Sequence, residues 1–143
     1  MIHLLDVNVV IALIDPAHSH HRRAHAWFDK IDNRAWATSP TIQNGAIRIL
    51  SQPTYGNALP SPAVAAEYLT VACKRRGHEF WPDDVSLLTS DAIDLSRLLT
   101  PRQVTDTYLL GLAVSRGGKL ATMDRRLNPA AVRDGAAALE LID

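Results

Sequence analysis

Short apolar runs alternate with longer segments of helical periodicity along the chain, and this alternation predicts a fold of the α/β class. The runs that predict β-strands are His3–Leu5, Ala35–Thr38, His78–Trp81, Lys119–Thr122 and Ala138–Ile142. The segments that predict helices are Asn8–Ile14, His20–Ile31, a segment opened by Ser39 and Pro40, Ala63–Lys74, Asp91–Leu95 and Thr105–Arg116. Because strands and helices alternate, we expect a short, mostly parallel sheet flanked by helices on both faces.

Turn-forming residues punctuate this pattern. Ser39–Pro40 and Ser61–Pro62 each place a helix-capping residue type before a proline suited to the first helical position. The segment Ser51–Pro62, with the sequence SQPTYGNALPSP, predicts a long loop rather than a linker, since too little chain precedes it for an independent domain. We therefore expect one domain that spans residues 1–143.

The composition indicates more about the cellular compartment of the protein than about its function. The formal net charge is zero, so a role with nucleic acid has to rest on a local patch of basic residues. The one cysteine, Cys73, excludes an intramolecular disulfide and fits a reducing compartment. No apolar stretch is long enough to span a membrane, and Asp6 interrupts an apolar start that lacks basic residues. We expect a cytoplasmic protein without a signal peptide.

Three aspartates stand next to predicted strand ends or helix starts. Asp6 follows the first predicted strand, and Asp124 lies two residues beyond the strand Lys119–Thr122. Asp106 falls in the first turn of the helix Thr105–Arg116. Ligands of open α/β sheets bind beyond the carboxyl ends of the strands, so these carboxylates are expected to converge. Such a cluster is a site for a hard cation that prefers oxygen ligands.

Each of these aspartates also has a structural interpretation that requires no ligand. Asp6 can cap the helix that follows it, Asp106 can favour the helix macrodipole, and Asp124 can begin the turn DRRL. Taken singly, these are the commoner roles of acidic residues at such positions. It is their joint placement that favours a shared site.

Five segments of the chain resemble one known family. The segments LLDVNVVIAL around Asp6, VTDTYLLGLA around Asp106 and LATMDRRL around Asp124 are similar to the three aspartate motifs of the PIN domain, in the same order and spacing. The segments SPTIQNGAIRILSQP and HSHHRRAHAWFDK resemble the VapC subgroup of that family. The resemblance extends over essentially the whole chain.

The resemblance implies a PIN-like fold and a metal-dependent endoribonuclease that cleaves single-stranded or looped RNA. It assigns Asp6, Asp106 and Asp124 to the binding of Mg²⁺, with Mn²⁺ as a possible substitute. Mg²⁺ keeps several waters and takes few protein ligands, so a set of three or four acids suits it. A metal held by these carboxylates would also relieve the repulsion between them.

The family usually has a fourth acid, a glutamate on the third helix, and here the resemblance places Gln43 at that position in TIQNG. A glutamine can offer a carbonyl oxygen to a metal ion or to its bound water. It cannot supply negative charge or act as a base. We therefore expect Gln43 to weaken the activity relative to a chain with glutamate at this position.

The resemblance also implies the partners. Proteins of the VapC type are toxins of type II toxin–antitoxin systems, usually homodimers, and an antitoxin of the VapB type holds them inactive with a segment placed in the active-site groove. We expect an RNA substrate, a protein antitoxin and a homodimer for this chain, with no role for a membrane.

Each polar or basic residue near the acids has two interpretations. Asn8 and Thr122 are placed to orient the carboxylates by hydrogen bonds, and local turn and cap bonding is an equally good account of them. Arg48, Arg125 and Arg126 are candidates for contacts with RNA phosphates. A solvated charged face is the alternative for these arginines.

The most unusual local cluster is formed by His18, His20, His21 and His25. The spacing of His21 and His25 by one helical turn is compatible with a zinc site. No cysteine is nearby, and the apolar residues of the same helix indicate which face is buried. We favour a packing or capping role over zinc.

Two other functions remain open on the sequence alone. One is a catalytically inactive PIN fold that only binds RNA or a protein partner, with Gln43 as the cause of the lost activity. The other is a related metal-dependent enzyme that acts on DNA or on small phosphate esters through the same carboxylate arrangement.

Overall fold

A parallel sheet runs through the centre of the computed structural model, which describes residues 1–31 and 35–143. Its strands are β1 (His3–Leu5), β2 (Trp36–Thr38), β3 (His78–Phe80), β4 (Lys119–Thr122) and β5 (Leu139–Leu141). Their order across the sheet is β3-β2-β1-β4-β5, and all neighbouring strands are parallel. The predicted α/β class with a parallel sheet is thereby confirmed. The carboxyl ends of β2, β1 and β4 meet at one edge.

Helices connect the strands. The longer ones are α1 (Val7–Ile14), α2 (His21–Lys30), α3 (Pro40–Leu50), α4 (Pro62–Cys73) and α5 (Val104–Ser115). A short helix, α6 (Gly135–Ala138), leads into β5, and single turns of 3₁₀ helix cover Leu95–Arg97 and Pro101–Gln103. The bounds differ from those predicted by one or two residues, because capping contacts rather than periodicity decide where a helix begins and ends. Over the described ranges, no helix is both long and apolar enough to cross a lipid bilayer.

The core lies on both faces of the sheet. All three residues of β1 are buried, and in β4 Leu120 and Ala121 are fully buried. Such continuous burial is what a central strand covered by helices on both sides requires. On α1 the apolar Val9 and Val10 pack into the same cluster, which leaves the N-terminal end of that helix close to the strand ends.

The predicted cap of α3 is wrong in its chemistry, although its position is right. Ser39 precedes the helix, but its side chain makes no capping hydrogen bond, and its buried hydroxyl has no partner within the described residues. Asp83 takes over instead: its Oδ2 accepts from the Thr41 amide at 2.9 Å and from the Thr41 hydroxyl at 2.8 Å. Ser61 does cap α4 as predicted, accepting from the Val64 amide at 3.2 Å.

The predicted helix Asp91–Leu95 is also wrong. Ile93 pairs with Val132 in an isolated antiparallel bridge, and the Asp94 amide donates to the Ala131 carbonyl at 2.8 Å. These long-range bonds use the backbone groups that a helix through this segment would need. The chain turns into helix only after Asp94, whose side chain caps the 3₁₀ turn that follows.

Candidate active site

The three predicted aspartates line one cleft of about 330 Å³, together with Asn8. Asp6 follows β1 directly, Asp124 lies two residues past β4, and Asp106 stands in the first turn of α5. The cleft is therefore built where the carboxyl ends of two adjacent parallel strands meet the start of a helix. This is the part of an open α/β sheet at which ligands bind.

Asp6 is the most buried of the three, with 6 % of its surface exposed. It is the N-cap of α1, and its Oδ1 accepts from the Val7 amide at 2.7 Å. Its Oδ2 accepts from the Thr122 hydroxyl at 2.7 Å. Burial raises the pKa of Asp6 because it disfavours the charged form, while these two hydrogen bonds act in the opposite direction. The carboxylate is thus fixed in one place by both β4 and α1.

Asn8 and Thr122 tie the strand ends together around that carboxylate. The Asn8 side-chain amide donates to Oδ2 of Asp6 at 3.4 Å and to the Thr122 hydroxyl at 3.3 Å. The Asn8 side-chain carbonyl accepts from the Met123 amide at 3.1 Å, and the Thr122 hydroxyl accepts from the Asp124 amide at 3.1 Å. Both side chains therefore contact the acids or the backbone that carries them.

Asp106 shows the electrostatic effect of bringing the acids together. Its pKa is raised to about 6, first by burial and then by the negative charges of Asp6 and Asp124. The positive charge of Arg102, on the preceding 3₁₀ turn, opposes this rise. The three carboxylates are therefore close enough to repel one another, and Arg102 offsets this repulsion at Asp106 only in part.

Asp124 both stabilises a turn and lines the cleft. Its Oδ1 accepts from the Arg126 amide at 2.9 Å, which is the turn-forming hydrogen bond expected of the sequence DRRL. The Arg126 guanidinium lies 3.5 Å from the same oxygen. The capping, dipole and turn interpretations of the three aspartates thus coexist with a shared cleft.

The donor set in the cleft fits a hard divalent cation. Carboxylate oxygens are hard ligands, and three carboxylates that repel one another favour Mg²⁺ or Mn²⁺ over a soft metal ion or a neutral ligand. In the described parts of the chain, residues 1–31 and 35–143, no three His, Cys, Asp or Glu side chains are close enough together to hold one metal ion. The three aspartates share the cleft, but their carboxylates would have to move closer together to bind one ion jointly.

Gln43 lies apart from the three aspartates in its contacts. It is half-buried on α3, and its side-chain amide donates to the Thr38 hydroxyl at 3.0 Å. Thr38 in turn bonds to Nε2 of His78 at 2.8 Å. Gln43 is not among the residues that line the cleft. The structure therefore brings Asp6, Asp106 and Asp124 together but directs the side chain of Gln43 towards β2 and β3.

The three candidate arginines stand in different surroundings. Arg48 is exposed on α3, two residues before the buried Leu50 that ends the helix. Arg125 is exposed and forms an ion pair with Asp143. Arg126 is exposed beside Asp124, as described above. Only Arg126 is in direct contact with an acid of the cleft.

The histidine cluster divides into three roles. The ring of His21 donates from Nδ1 to the Ala12 carbonyl at 2.7 Å, and the ring of His25 donates from Nε2 to the Leu13 carbonyl at 3.0 Å. These carbonyls belong to the last turn of α1, which has no helical partners for them. His20 bonds to Arg23. His18 is the only one of the four that lines the cleft.

Several residues of the cleft were not found by the sequence analysis. Its remaining lining residues are Val7, Ile11, His18, Ile49 and Tyr55. His18 was noticed only as part of a histidine-rich segment, and Tyr55 only as part of a loop. Loop residues carry no periodicity, so their approach to the acids depends on long-range contacts that a single sequence does not reveal.

A second, apolar cavity of about 450 Å³ lies between α1, α2 and α4; we call it the apolar groove. Its lining includes Leu13 of α1, Phe28 of α2, and Tyr68 and Val71 of α4. Val71 is 68 % exposed. An exposed apolar surface of this kind is typical of a protein contact rather than of catalysis.

Comparisons with known proteins agree with the geometry. Residues 3–132 match the family described as PIN domain. Ribonuclease VapC44 of Mycobacterium tuberculosis is 47 % identical over 129 residues, which is 90 % of each chain. Ribonuclease VapC39 of the same organism is 42 % identical over 94 % of each chain. Ribonuclease VapC38 is 40 % identical over 85 % of this chain and 84 % of its own.

Proposed function

This chain belongs to the PIN domain family, and we propose that it is a metal-dependent endoribonuclease, the toxin of a VapBC-like type II toxin–antitoxin pair. The observation that carries the proposal is the meeting of Asp6, Asp106 and Asp124 in one cleft at the carboxyl edge of the sheet. Its relatives at 40–47 % identity are named ribonucleases, and this supports RNA as the substrate.

In this proposal Asp6, Asp106 and Asp124 hold Mg²⁺ or Mn²⁺. A metal ion bound there supplies a water of lowered pKa and stabilises the charge that develops on the phosphate. Thr122 and Asn8 hold Asp6 in place, so that its carboxylate does not have to reorganise when the ion binds. Arg126 and the more distant Arg48 and Arg125 supply positive charge for the RNA backbone.

We also propose that this chain cleaves RNA slowly, because Gln43 leaves the site with three acids instead of four. A glutamine carries no charge, and here its amide is engaged with Thr38. Fewer negative ligands mean weaker binding of a divalent cation. The same observation favours the second candidate function, in which the chain binds RNA or a partner without cleaving it.

The proposed protein partner is an antitoxin of the VapB type, and the proposed assembly is a homodimer. Exposed apolar residues in the apolar groove, among them Tyr68 and Val71, support a protein partner on this face. Light scattering of the isolated chain measures the assembly, and a monomer at all concentrations would contradict the dimer.

The test compares substrates and metal ions in parallel. The full chain is incubated with single-stranded RNA, duplex DNA and a small phosphate ester, each with Mg²⁺, with Mn²⁺ and with a chelator. We expect slow, metal-dependent cleavage of the RNA alone. Cleavage of DNA or of the ester at a comparable rate would replace the ribonuclease by another phosphate enzyme. Metal-independent cleavage would contradict the proposal altogether.

Binding of the metal is measured separately, by the rise in unfolding temperature as Mg²⁺ or Mn²⁺ is added. The matched variants are Asp106→Asn, in the cleft, and Asp29→Asn, an exposed acid on α2. We expect the metal-dependent rise in the wild type and in Asp29→Asn but not in Asp106→Asn. Metal-dependent stabilisation without cleavage of any substrate would favour the inactive binding module.

A further inference from the structure

The cleft that holds the aspartates has a second half of different chemistry. This half consists of Ile11 on α1, Ile49 on α3, and Tyr55 and His18 from the loops that follow α3 and α1. We call these four residues the aromatic wall. It is uncharged apart from the imidazole, whereas the other half of the same cleft carries three carboxylates.

We propose that the aromatic wall binds the base of one unpaired nucleotide next to the phosphate held at the aspartates. This inference rests on the proposed function, because it takes RNA as the substrate of the cleft. A nucleotide presents an anionic phosphate and a flat, largely apolar base on either side of its ribose. The cleft presents a metal-binding half and an aromatic half within one volume of about 330 Å³.

Tyr55 is held rigidly enough to act as a stacking surface. Its hydroxyl donates to a carboxylate oxygen of Asp15, which is buried at the C-terminal end of α1. Asp15 also accepts from the Asn57 side-chain amide at 3.1 Å and from the Ala17 amide at 2.9 Å. Burial and the bond to Asp15 both raise the pKa of Tyr55, so the phenol stays neutral. A ring fixed in this way loses little conformational freedom when a base stacks on it.

His18 supplies a hydrogen-bond donor beside that ring. Its Nδ1 accepts from the His20 amide at 3.0 Å, so in the neutral ring the proton is on Nε2. Burial lowers the pKa of His18, which keeps the imidazole neutral at physiological pH. A neutral N–H is suited to the carbonyl or ring-nitrogen acceptors on the edge of a base, and less suited to a phosphate.

The size and the position of the wall favour an unpaired base. A volume of about 330 Å³ is at the lower end for ligand sites and takes one nucleotide, not a segment of duplex. A base has to leave its stack before it can enter such a cleft, as in other enzymes that act on single nucleotides. Stacking on aromatic side chains is also how proteins bind unpaired RNA.

Asp15 is the positioning residue of this wall. It fixes the Tyr55 hydroxyl, and its backbone carbonyl accepts from the His18 amide at 3.1 Å. The two residues of the wall that come from loops are therefore anchored at the same point. Asp15 itself is not among the residues that line the cleft.

The test uses small probes and does not require cleavage. The full chain in Mg²⁺ is titrated with uridine 5′-monophosphate, adenosine 5′-monophosphate and ribose 5-phosphate while the ring protons of His18 and Tyr55 are followed by NMR. We expect saturable shifts of both rings with at least one nucleotide and none with ribose 5-phosphate. Equal shifts with ribose 5-phosphate, or none with either nucleotide, would overturn the proposal.

Variants then separate stacking from mere folding. Tyr55→Ala and His18→Ala should weaken nucleotide binding about fivefold to a hundredfold, the range for loss of a base-stacking side chain. Tyr55→Phe keeps the ring and should lose clearly less. His20→Ala is the matched control, because the His20 ring bonds to Arg23 and does not line the cleft. Equal loss in Tyr55→Phe and Tyr55→Ala, or in His18→Ala and His20→Ala, would count against stacking.

The outcome for Asp15 tests positioning. Asp15→Asn should broaden or move the free Tyr55 ring signals and weaken nucleotide binding, while the rise in unfolding temperature with Mg²⁺ stays. An unchanged Tyr55 signal and unchanged binding would show that Asp15 does not position the wall.

The two proposals fail in different ways. Base-dependent shifts in a chain that never cleaves RNA would retain the aromatic wall and remove the ribonuclease. Cleavage of an oligonucleotide with one abasic site beside the cut, at the rate of the intact oligonucleotide, would retain the ribonuclease and remove the wall.

Discussion

Two buried threonines end the strands on either side of β1, and they stand in opposite electrostatic surroundings. Both Thr38 on β2 and Thr122 on β4 are fully buried. The Thr122 hydroxyl donates to the carboxylate of Asp6, at 2.7 Å. The Thr38 hydroxyl accepts from the neutral amide of Gln43 and shares a second hydrogen bond with Nε2 of His78, at 2.8 Å. One side of the central strand carries negative charge, and the other is neutral.

The difference teaches that a strand end alone does not make an acidic site. The same residue type ends both strands that flank β1, and its hydrogen-bond partner decides what it does there. The side of β4 has an aspartate as partner, whereas the side of β2 has Gln43, the residue that the resemblance assigns to the position of the family's usual acid. The following predictions break or sharpen this contrast, beginning with the charged side.

The largest effect should come from the charged side. Asp6→Asn and Asp124→Asn keep size and most hydrogen bonds but remove a negative ligand each, so we expect cleavage to fall by roughly a hundredfold to ten-thousandfold. The rise in unfolding temperature with Mg²⁺ should disappear as well. RNA cleavage is best measured in a Gln43→Glu background, where we expect a faster starting rate. Asp29→Asn, at an exposed position on α2, is the control and should change neither quantity.

The second effect adds charge to the neutral side. Gln43→Glu should raise the rate of RNA cleavage by about tenfold to a thousandfold if the new carboxylate turns from Thr38 towards the cleft, because a fourth carboxylate there strengthens metal binding and favours deprotonation of water. The comparison is a Mg²⁺ titration of both chains. Gln52→Glu introduces the same charge at an exposed position just past α3 and should leave the rate unchanged.

Equal rates of the wild type and Gln43→Glu at every metal concentration would separate position 43 from the site. In that case the bond from residue 43 to Thr38 would be a structural contact only, and the assignment of the TIQNG segment to the fourth acid would have to be abandoned.

A third effect compares the threonines directly. Thr122→Val removes a donor from a buried carboxylate and should lower the free energy of unfolding by about 1.5–3 kcal/mol, whereas Thr38→Val breaks bonds between neutral groups and should cost about 0.5–1.5 kcal/mol. Urea unfolding at neutral pH without metal measures both. A larger loss of stability for Thr38→Val would mean that the hydrogen bonds of Thr38 stabilise the strand ends more than the bond between Thr122 and Asp6 does.

The smallest effect is a pH dependence on the neutral side. Burial lowers the pKa of His78 below its usual value of about 6.5. The unfolded chain therefore binds the proton more readily, and this residue's contribution to stability is complete above about pH 6.5 and is lost as the pH falls below it. The raised pKa values of Asp6 and Asp106 act in the opposite sense.

The contribution of His78 is therefore measured by comparing how the free energy of unfolding changes with pH in two chains. The free energy of unfolding of the wild type and of His78→Gln is determined between pH 7 and pH 5, without metal. The wild type should lose more stability than His78→Gln over this range. Parallel curves would show that protonation of His78 is not linked to folding.

Much of the charged side could be predicted from the sequence, because the positions of its acids depend on the residues next to them in the chain. Asp6 and Asp124 directly follow apolar runs, and parallel strands bring their carboxyl ends to one edge. Asp106 sits in the first turn of a helix that is rich in apolar residues. The parallel sheet followed from the same alternation of strands and helices. None of these inferences required knowledge of which side chains meet across the fold.

The neutral side and the aromatic wall could not be predicted, because distant residues decide them. Asp83 caps α3 from 42 residues away, in place of the adjacent Ser39. Gln43 bonds to a strand residue, and Tyr55 is fixed by Asp15 from 40 residues away. The segment Asp91–Leu95 has a composition typical of a helix, but its backbone forms hydrogen bonds with distant residues instead. Local propensity has no information about such partners.

The helix α1 is anchored at both of its ends, and this gives it a mechanical role. Asp6 fixes its beginning, while the rings of His21 and His25 fix the carbonyls of its last turn. With eight residues it is a rod of about 12 Å. Leu13, near its end, lines the apolar groove. The helix α1 therefore links the apolar groove, at its C-terminal end, with the carboxylate of Asp6, at its N-terminal end.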